Sequence, residues 1–597
     1  MFTRTRVLTV LTCAVLTVTA QLDAQRGGTA ATTPRRPLLA ADIDDIATLL
    51  KLEDIRQFDA TALARILSSK HPEVRRRAIT TIGRIAKDEG RPMLAALRGE
   101  TDPELLATVA FATGQLKDPD AVTWLGALLS NPRAAAAARK EAAQALGKMA
   151  PAAATPAAPL ATPARSAHDA LSQFLSTAPQ STAPAVVGEA LLSIGRFPTV
   201  EDTAPIVRWT THRDVEIRWR ATWALFRPRN PAATPTLLKL STDTSADVRF
   251  WAVRGLTAAV VSQSSVAPTE ASSRLRQAMN DPDRRVRTEA IRALTAFDAT
   301  LPQARYDDDA SFDAVLAALQ SKDTWLSVSA VENIHRFSSR AAAVSSAVVA
   351  ATRSGQPTSL RMAALVPLEA VNADAARALA GELAKDAGST AKDSAAATIR
   401  RLDAAAARAA AAAAGQPAGG AARQGGGGGR GGAARPAPVA RPDAEYRELV
   451  TRWIVPDYNG APKPHLILGT PRGDVDVELY PGDAPFGVEY LLKVVESGEI
   501  VSTEFPRVVP NFVAQQGPIR NQGTLRDEVN RHGLTRGNLS WASAGLDTGR
   551  PGYTLGSTPQ PHNEGGFTSL GRVVKGLDVV DRLELGDNIT AGRIVRR

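Results

Sequence analysis

A short phrase recurs roughly every 30 to 45 residues through the first two thirds of the chain, and it restricts the fold more than any other feature. An acidic or proline-containing turn is followed by an apolar residue, often with an arginine after it, then by alanines and larger apolar residues at helical spacing. The phrase is read at His71-Pro72-Glu73-Val74-Arg75, Asp102-Pro103-Glu104-Leu105, Asp214-Val215-Glu216-Ile217-Arg218 and Asp247-Val248-Arg249. It is clearest at Asp281-Pro282-Asp283-Arg284-Arg285-Val286-Arg287, and weaker at Asp323 with Val328 and Ile334. Asp caps a helix start by accepting from its orphan N–H groups. Proline is tolerated in the first turn. The apolar residues at i, i+3, i+4 and i+7 form one stripe for burial. A single pair of helices cannot bury that stripe, so successive pairs must stack. The expected result is an all-α repeat array over residues 40–400, with an ordinary helical bundle as the alternative.

A chain of 597 residues is too long for one core, so further domains are expected. The net charge of +10 is spread thinly, which argues against nucleic acid as a partner. Arg4 and Arg6 followed by the apolar run Val7 to Ala20 read as a signal peptide over residues 1–24. The expected location is therefore periplasmic or extracellular, or at a membrane if the signal stays uncleaved. No later segment is apolar and long enough for a stable transmembrane span. Cys13, the only cysteine, lies in that signal, so neither disulfides, a thiol nucleophile nor a cysteine metal site is expected after it. Residues 151–167 read as a loop within the array. Residues 404–442, dominated by Ala, Gly, Arg and Pro with an unbroken run Gly425 to Gly429, read as a flexible linker. The basic, glycine-rich character of that stretch also admits an RNA-binding reading, for which an exported chain has less use.

Beyond Tyr446 the texture changes. Leu466 to Leu468 and Val475 to Leu479 read as strands joined by a turn at Gly469 to Gly473, and Ala484 to Val495 as an amphipathic helix. Short strands with two helices suggest a closed barrel.

The repeat phrase resembles short bacterial HEAT repeats, which implies an α-solenoid with protein partners along its surface. The stretch Phe505-Pro506-Arg507-Val508-Val509-Pro510-Asn511-Phe512-Val513-Ala514-Gln515-Gln516-Gly517 resembles the signature of cyclophilins around their catalytic arginine. Asp527 to Asn530, Gly537 to Ala542, Pro559 to His562 and Gly571 to Val580 follow in that family's order. The resemblance implies a cyclophilin-type isomerase domain over residues 462–597: an eight-stranded closed β-barrel with two helices that acts on proline-containing polypeptides without cofactor or metal. Carried over residue by residue, it implies Arg507 as the catalytic group. Phe512 and Val513 would line the proline pocket, Gln515 would hydrogen-bond the substrate backbone, and Ala542 and Ser543 would form a groove wall. His562 would sit on the rim, and Phe567 stands where a histidine or tyrosine is usual. Departures are Pro506 in place of a histidine, Gly552 and Thr554 in place of a glutamine and a phenylalanine, and Asn563 in place of a leucine. They imply weaker or shifted turnover. Two other readings stay open: a proline-peptide binding module, and an assembly scaffold with little turnover.

Overall fold

The computed structural model describes residues 35–151, 159–198, 202–413, 439–517, 519, 525–543, 546–549 and 552–597. The expected signal peptide and residues 414–438 of the expected linker lie outside them. Helices dominate the described residues between Ala40 and Ala413. The phrase residues work as helix starts: Asp102 accepts from the N–H groups of Glu104 and Leu105, Asp214 from Glu216, Asp283 from Arg285 and Asp323 from Trp325. Asp247 differs. Its helix starts one residue earlier, and the carboxylate instead pairs with Arg285 at 2.8 Å.

The arginine of the phrase has its own role. Arg218 reaches Asp243 at 3.1 Å, Arg249 reaches Asp281 at 2.7 Å and Arg287 reaches Asp323 at 2.9 Å, while Arg75 pairs with Glu100. Each arginine thus ties its repeat to the acidic turn of the next. The helices Pro72–Ile85, Pro103–Gln115, Ala136–Gly147, Pro184–Ile194, Val215–Phe226, Ala246–Gly255, Arg284–Leu294 and Thr324–Asn333 stack in succession as one layer.

Two expected irregular stretches are partly helical. Helix Thr162–Thr177 begins inside the expected loop, with Pro163 in its first turn, where proline costs no hydrogen bond. The last array helix, Ser389–Ala413, continues into the expected linker because its alanine run has the highest helix propensity of any residue type.

The C-terminal domain is an antiparallel eight-stranded sheet: β1 (Pro464–Thr470), β2 (Gly473–Leu479), β3 (Arg507–Val509), β4 (Val513–Gln515), β5 (Asn538–Trp541), β6 (Tyr553–Gly556), β7 (Ser569–Lys575) and β8 (Ala591–Arg596). The order is β3-β4-β6-β5-β7-β2-β1-β8. The sheet is barrel-like, with a seam between β3 and β8. Backbone bonds just before those strands cross it: Ser502 N–H to Ile589 O at 2.7 Å, and Phe505 N–H to Asp587 O at 2.8 Å. Helix Pro485–Glu496 packs beside β8, and the short helix Leu577–Val580 beside β2.

The domain does not stand apart from the array. Leu63, Ile79, Ile82 and Leu105 of the first repeats share one buried apolar cluster with Leu466, Val488, Leu491 and Leu570 of the domain. A further helical segment, beginning at Asp443–Leu449, bridges the two: Tyr446 Oη donates to Asp54 at 2.8 Å and Trp453 Nε1 to Glu489 at 2.6 Å. Arg84 is buried against Glu53 at 3.0 Å and donates to the carbonyls of Asp483 at 2.6 Å and Val529 at 3.0 Å. At the far end, the Glu504 carboxylate accepts from Ser389 and Thr390 N–H, both at 2.8 Å, at the start of the last array helix. The domain is therefore docked along the layer of stacked helices instead of hanging from a linker.

Replacing Arg84 by Met would leave Glu53 buried without its cation. It should lower the stability of the full chain by about 3–5 kcal/mol in urea unfolding. Arg447→Ala, which breaks an exposed pair with Asp44, should cost less than about 1 kcal/mol.

Candidate active site

The β3–β4 hairpin builds the site. Its register sets Arg507 directly opposite Gln515, and the guanidinium donates to Gln515 Oε1 at 3.2 Å. The same guanidinium lies 5.5 Å from the centre of the Phe512 ring. Asn511 turns the hairpin with φ of 61°, a left-handed conformation that asparagine tolerates better than most residues. Its buried side chain donates to Arg285 O at 2.8 Å and Glu289 Oε1 at 3.0 Å on array helix Arg284–Leu294. Thr558 Oγ1 donates to Asn511 O at 2.8 Å, and Ser557 N–H to Phe512 O at 3.0 Å. Phe512 is thereby held from both sides.

Arg507, Phe512, Val513, Gln515, Ala542, Ser543, His562 and Phe567 all border one open cleft of about 650 Å³. Arg507 is exposed to it. Partial burial lowers its pKa from the ordinary value, which leaves an arginine charged at neutral pH. Val513 is buried, Phe512 half-buried, and the His562 ring stacks on Phe512 with centroids 5.9 Å apart. His562 is exposed on the rim, yet the protein packed around its ring lowers its pKa to about 4, helped by the charges of Arg227, Arg254 and Arg196 from the array.

The departures now have locations. Gly552 faces the carbonyls of Gln516 and Gly517, and a Cβ there would lie 3.0 Å and 3.2 Å from them, so a larger side chain needs the neighbouring strand to shift. Thr554 sits in β6 opposite both Gln515 and Ser540, and its hydroxyl meets that of Ser540 at 2.8 Å. The pocket floor therefore carries paired hydroxyls. Asn563 on the rim donates to Gln560 Oε1 at 2.9 Å.

Leu534, Ser540, Trp541 and Gln560 also border the cleft and were missed in the sequence, although Ser540, Trp541 and Gln560 lie within matched blocks. The array arginines around His562 carry no sequence signal, since they lie over 300 residues away.

Fold and site together define a helical repeat array carrying a cyclophilin-like domain with an open peptide-sized cleft. Residues 465–596 match the family described as cyclophilin type peptidyl-prolyl cis-trans isomerase/CLD. HEAT repeats are matched over residues 60–147, 90–162, 168–257, 204–294 and 240–335. A peptidyl-prolyl cis-trans isomerase of Synechococcus elongatus is 33% identical over 137 residues, covering 22% of this chain and 94% of that protein. Peptidyl-prolyl cis-trans isomerase B of Bacillus subtilis is 34% identical over 128 residues, covering 20% of this chain and 90% of that protein. The crystal structure of a Cryptosporidium parvum cyclophilin is 21% identical, covers 23% of this chain and 97% of its own, and superposes with a TM-score of 0.21. The chain belongs, through its C-terminal domain, to the cyclophilin-type peptidyl-prolyl cis-trans isomerase family.

The His562 ring should titrate near 4 by NMR in the full chain, below the usual histidine range near 6.5. Between those values the unfolded chain binds the proton and the folded one does not, so His562 makes stability fall as pH drops through that window. A midpoint above 6 would mean that the neighbouring protein and the array arginines do not act on this ring.

Proposed function

We propose that the cleft catalyses rotation about Xaa-Pro bonds, with Arg507 stabilising the twisted amide, and that the protein assists polypeptide folding outside the cytoplasm. The observation that carries the reading is the pairing of Arg507 and Gln515 across the hairpin, at the mouth of a pocket based on Phe512. The barrier to rotation, about 18–20 kcal/mol, comes from amide resonance. No covalent bond breaks, so a catalyst needs only to bind the twisted amide better than either planar form. A proline ring set on Phe512 and Val513 fixes one side of that bond. The Arg507 fork, held by Gln515, donates to the substrate and favours the nitrogen pyramid formed as resonance is lost. It is a preorganised charge, aimed before substrate arrives. Ala542 and Ser543 offer a wall for the extended backbone. The basic start and apolar run of residues 4–20 support a location outside the cytoplasm.

The hydroxyl pair of Ser540 and Thr554 and the amide of Asn563 make the pocket less apolar than a proline ring favours, and this supports a second reading as a proline-peptide binding module. An isomerisation assay of the full chain on an Ala-Pro peptide separates the two. Wild type should accelerate exchange, and Arg507→Ala should lower kcat/KM by about 10²-fold or more. If wild type binds the peptide but matches the uncatalysed rate, the binding reading holds.

A further inference from the structure

Four consecutive helices of the stacked layer carry an arginine in or just beyond their last turn: Arg196 after Pro184–Ile194, Arg227 after Val215–Phe226, Arg254 at the end of Ala246–Gly255, and Arg292 near the end of Arg284–Leu294. The outer two hold the domain on either side of the cleft. Arg196 donates to Pro561 O at 3.0 Å and Glu564 O at 3.3 Å, flanking His562. Arg292 donates to Pro510 O at 2.6 Å, two residues from Phe512. The two helices between them donate no hydrogen bond to the domain among the described residues. Their arginines stand between the two clamps without being used to hold the domain.

A cationic residue at a helix C-terminus favours the helix itself. What sets Arg227 and Arg254 apart is their surroundings. Arg254 lies over the rings of Trp251, at 5.4 Å, and Phe226, at 5.6 Å, and its nearest carboxylate is that of Glu289 at 3.7 Å. The Glu289 carboxylate is shared with Arg292 and Asn511. Arg227 is exposed, and its guanidinium makes no hydrogen bond or ion pair with any described residue. Arg229, close by, pairs with Asp298 at 2.8 Å. A second open cleft, of about 250 Å³, is bordered by Phe226, Arg229, Arg254, Glu289 and Arg292. Among the described residues, the carboxylates paired with Arg229, Arg254 and Arg292 are those of Glu289 and Asp298, and Arg227, beside this cleft in sequence, pairs with neither.

We infer that this window in the array is a substrate subsite: Arg227 and Arg254 receive acidic side chains flanking the proline of a polypeptide lying in the cleft. The inference rests on the isomerase reading of that cleft. An extended chain seated on Phe512 and leaving past His562 runs out between the two clamps, where the next surface belongs to the array. The array then contributes specificity to a reaction performed by another domain.

The test uses the full chain and three Ala-Pro peptides bearing Glu, Gln or Lys on both sides of the dipeptide. Turnover and binding affinity are both measured, and each ratio is taken against the Gln peptide of the same variant. Wild type should prefer Glu over Lys by about 10-fold at low ionic strength, with the preference shrinking at high salt. Arg227→Glu should remove or reverse it, and Arg227→Lys should keep most of it. Equal ratios in wild type, or a preference that survives Arg227→Glu combined with Arg254→Gln, would overturn the subsite. Absence of turnover with all three peptides would overturn the isomerase reading instead, and the affinities would still report the charge preference.

Discussion

Arginine side chains of the stacked helices donate to backbone carbonyls in the loops of the C-terminal domain, and the geometry of the cleft depends on those bonds. Loops are the most mobile parts of a fold, and a site built on them needs outside support. Here Arg292 and the Arg285 carbonyl fix the turn bearing Phe512, while Arg196 fixes the segment bearing His562. Arg56 does the same for a third loop, through Asp547 at 2.6 Å and Asp527 O at 2.7 Å. Guanidinium is well matched to this work, being always charged, rigid and able to donate to several carbonyls at once.

Such support bears directly on isomerisation. When catalysis consists of binding a twisted amide better than a planar one, the donors and the apolar pocket must hold still while the substrate rotates. The hairpin carrying Arg507 and Gln515 is short, with three residues in each strand, and by itself offers little rigidity. Docking against helix Arg284–Leu294 makes up for that. It also brings the array against the segments that bear Phe512 and His562, beside the cleft.

The helical phrase was legible because capping and stripe spacing are local: Asp102, Asp214 and Asp323 sit where the sequence puts them. The β3–β4 residues were legible through ordered blocks that resemble one family, and all eight proposed site residues border a single cleft. Other features were hidden for physical reasons. The alanine tract past Ala404 looks like low complexity, yet alanine is also the best helix former, and composition cannot separate the two. Pro163 reads as a breaker unless its place in the first turn is known. The docking itself was invisible, because Arg84, Arg196 and Arg292 look like ordinary surface residues until their carbonyl partners, hundreds of positions away, are in place. The linker suggested separation, but a connection between two units says nothing about whether they pack.

The most direct test of a clamped domain is to cut the chain between Ala413 and Val439 at an inserted protease site and follow both pieces by size exclusion under native conditions. Shared apolar packing and the arginine clamps predict one particle that contains both pieces and still isomerises an Ala-Pro peptide. Pieces that elute separately would contradict the account.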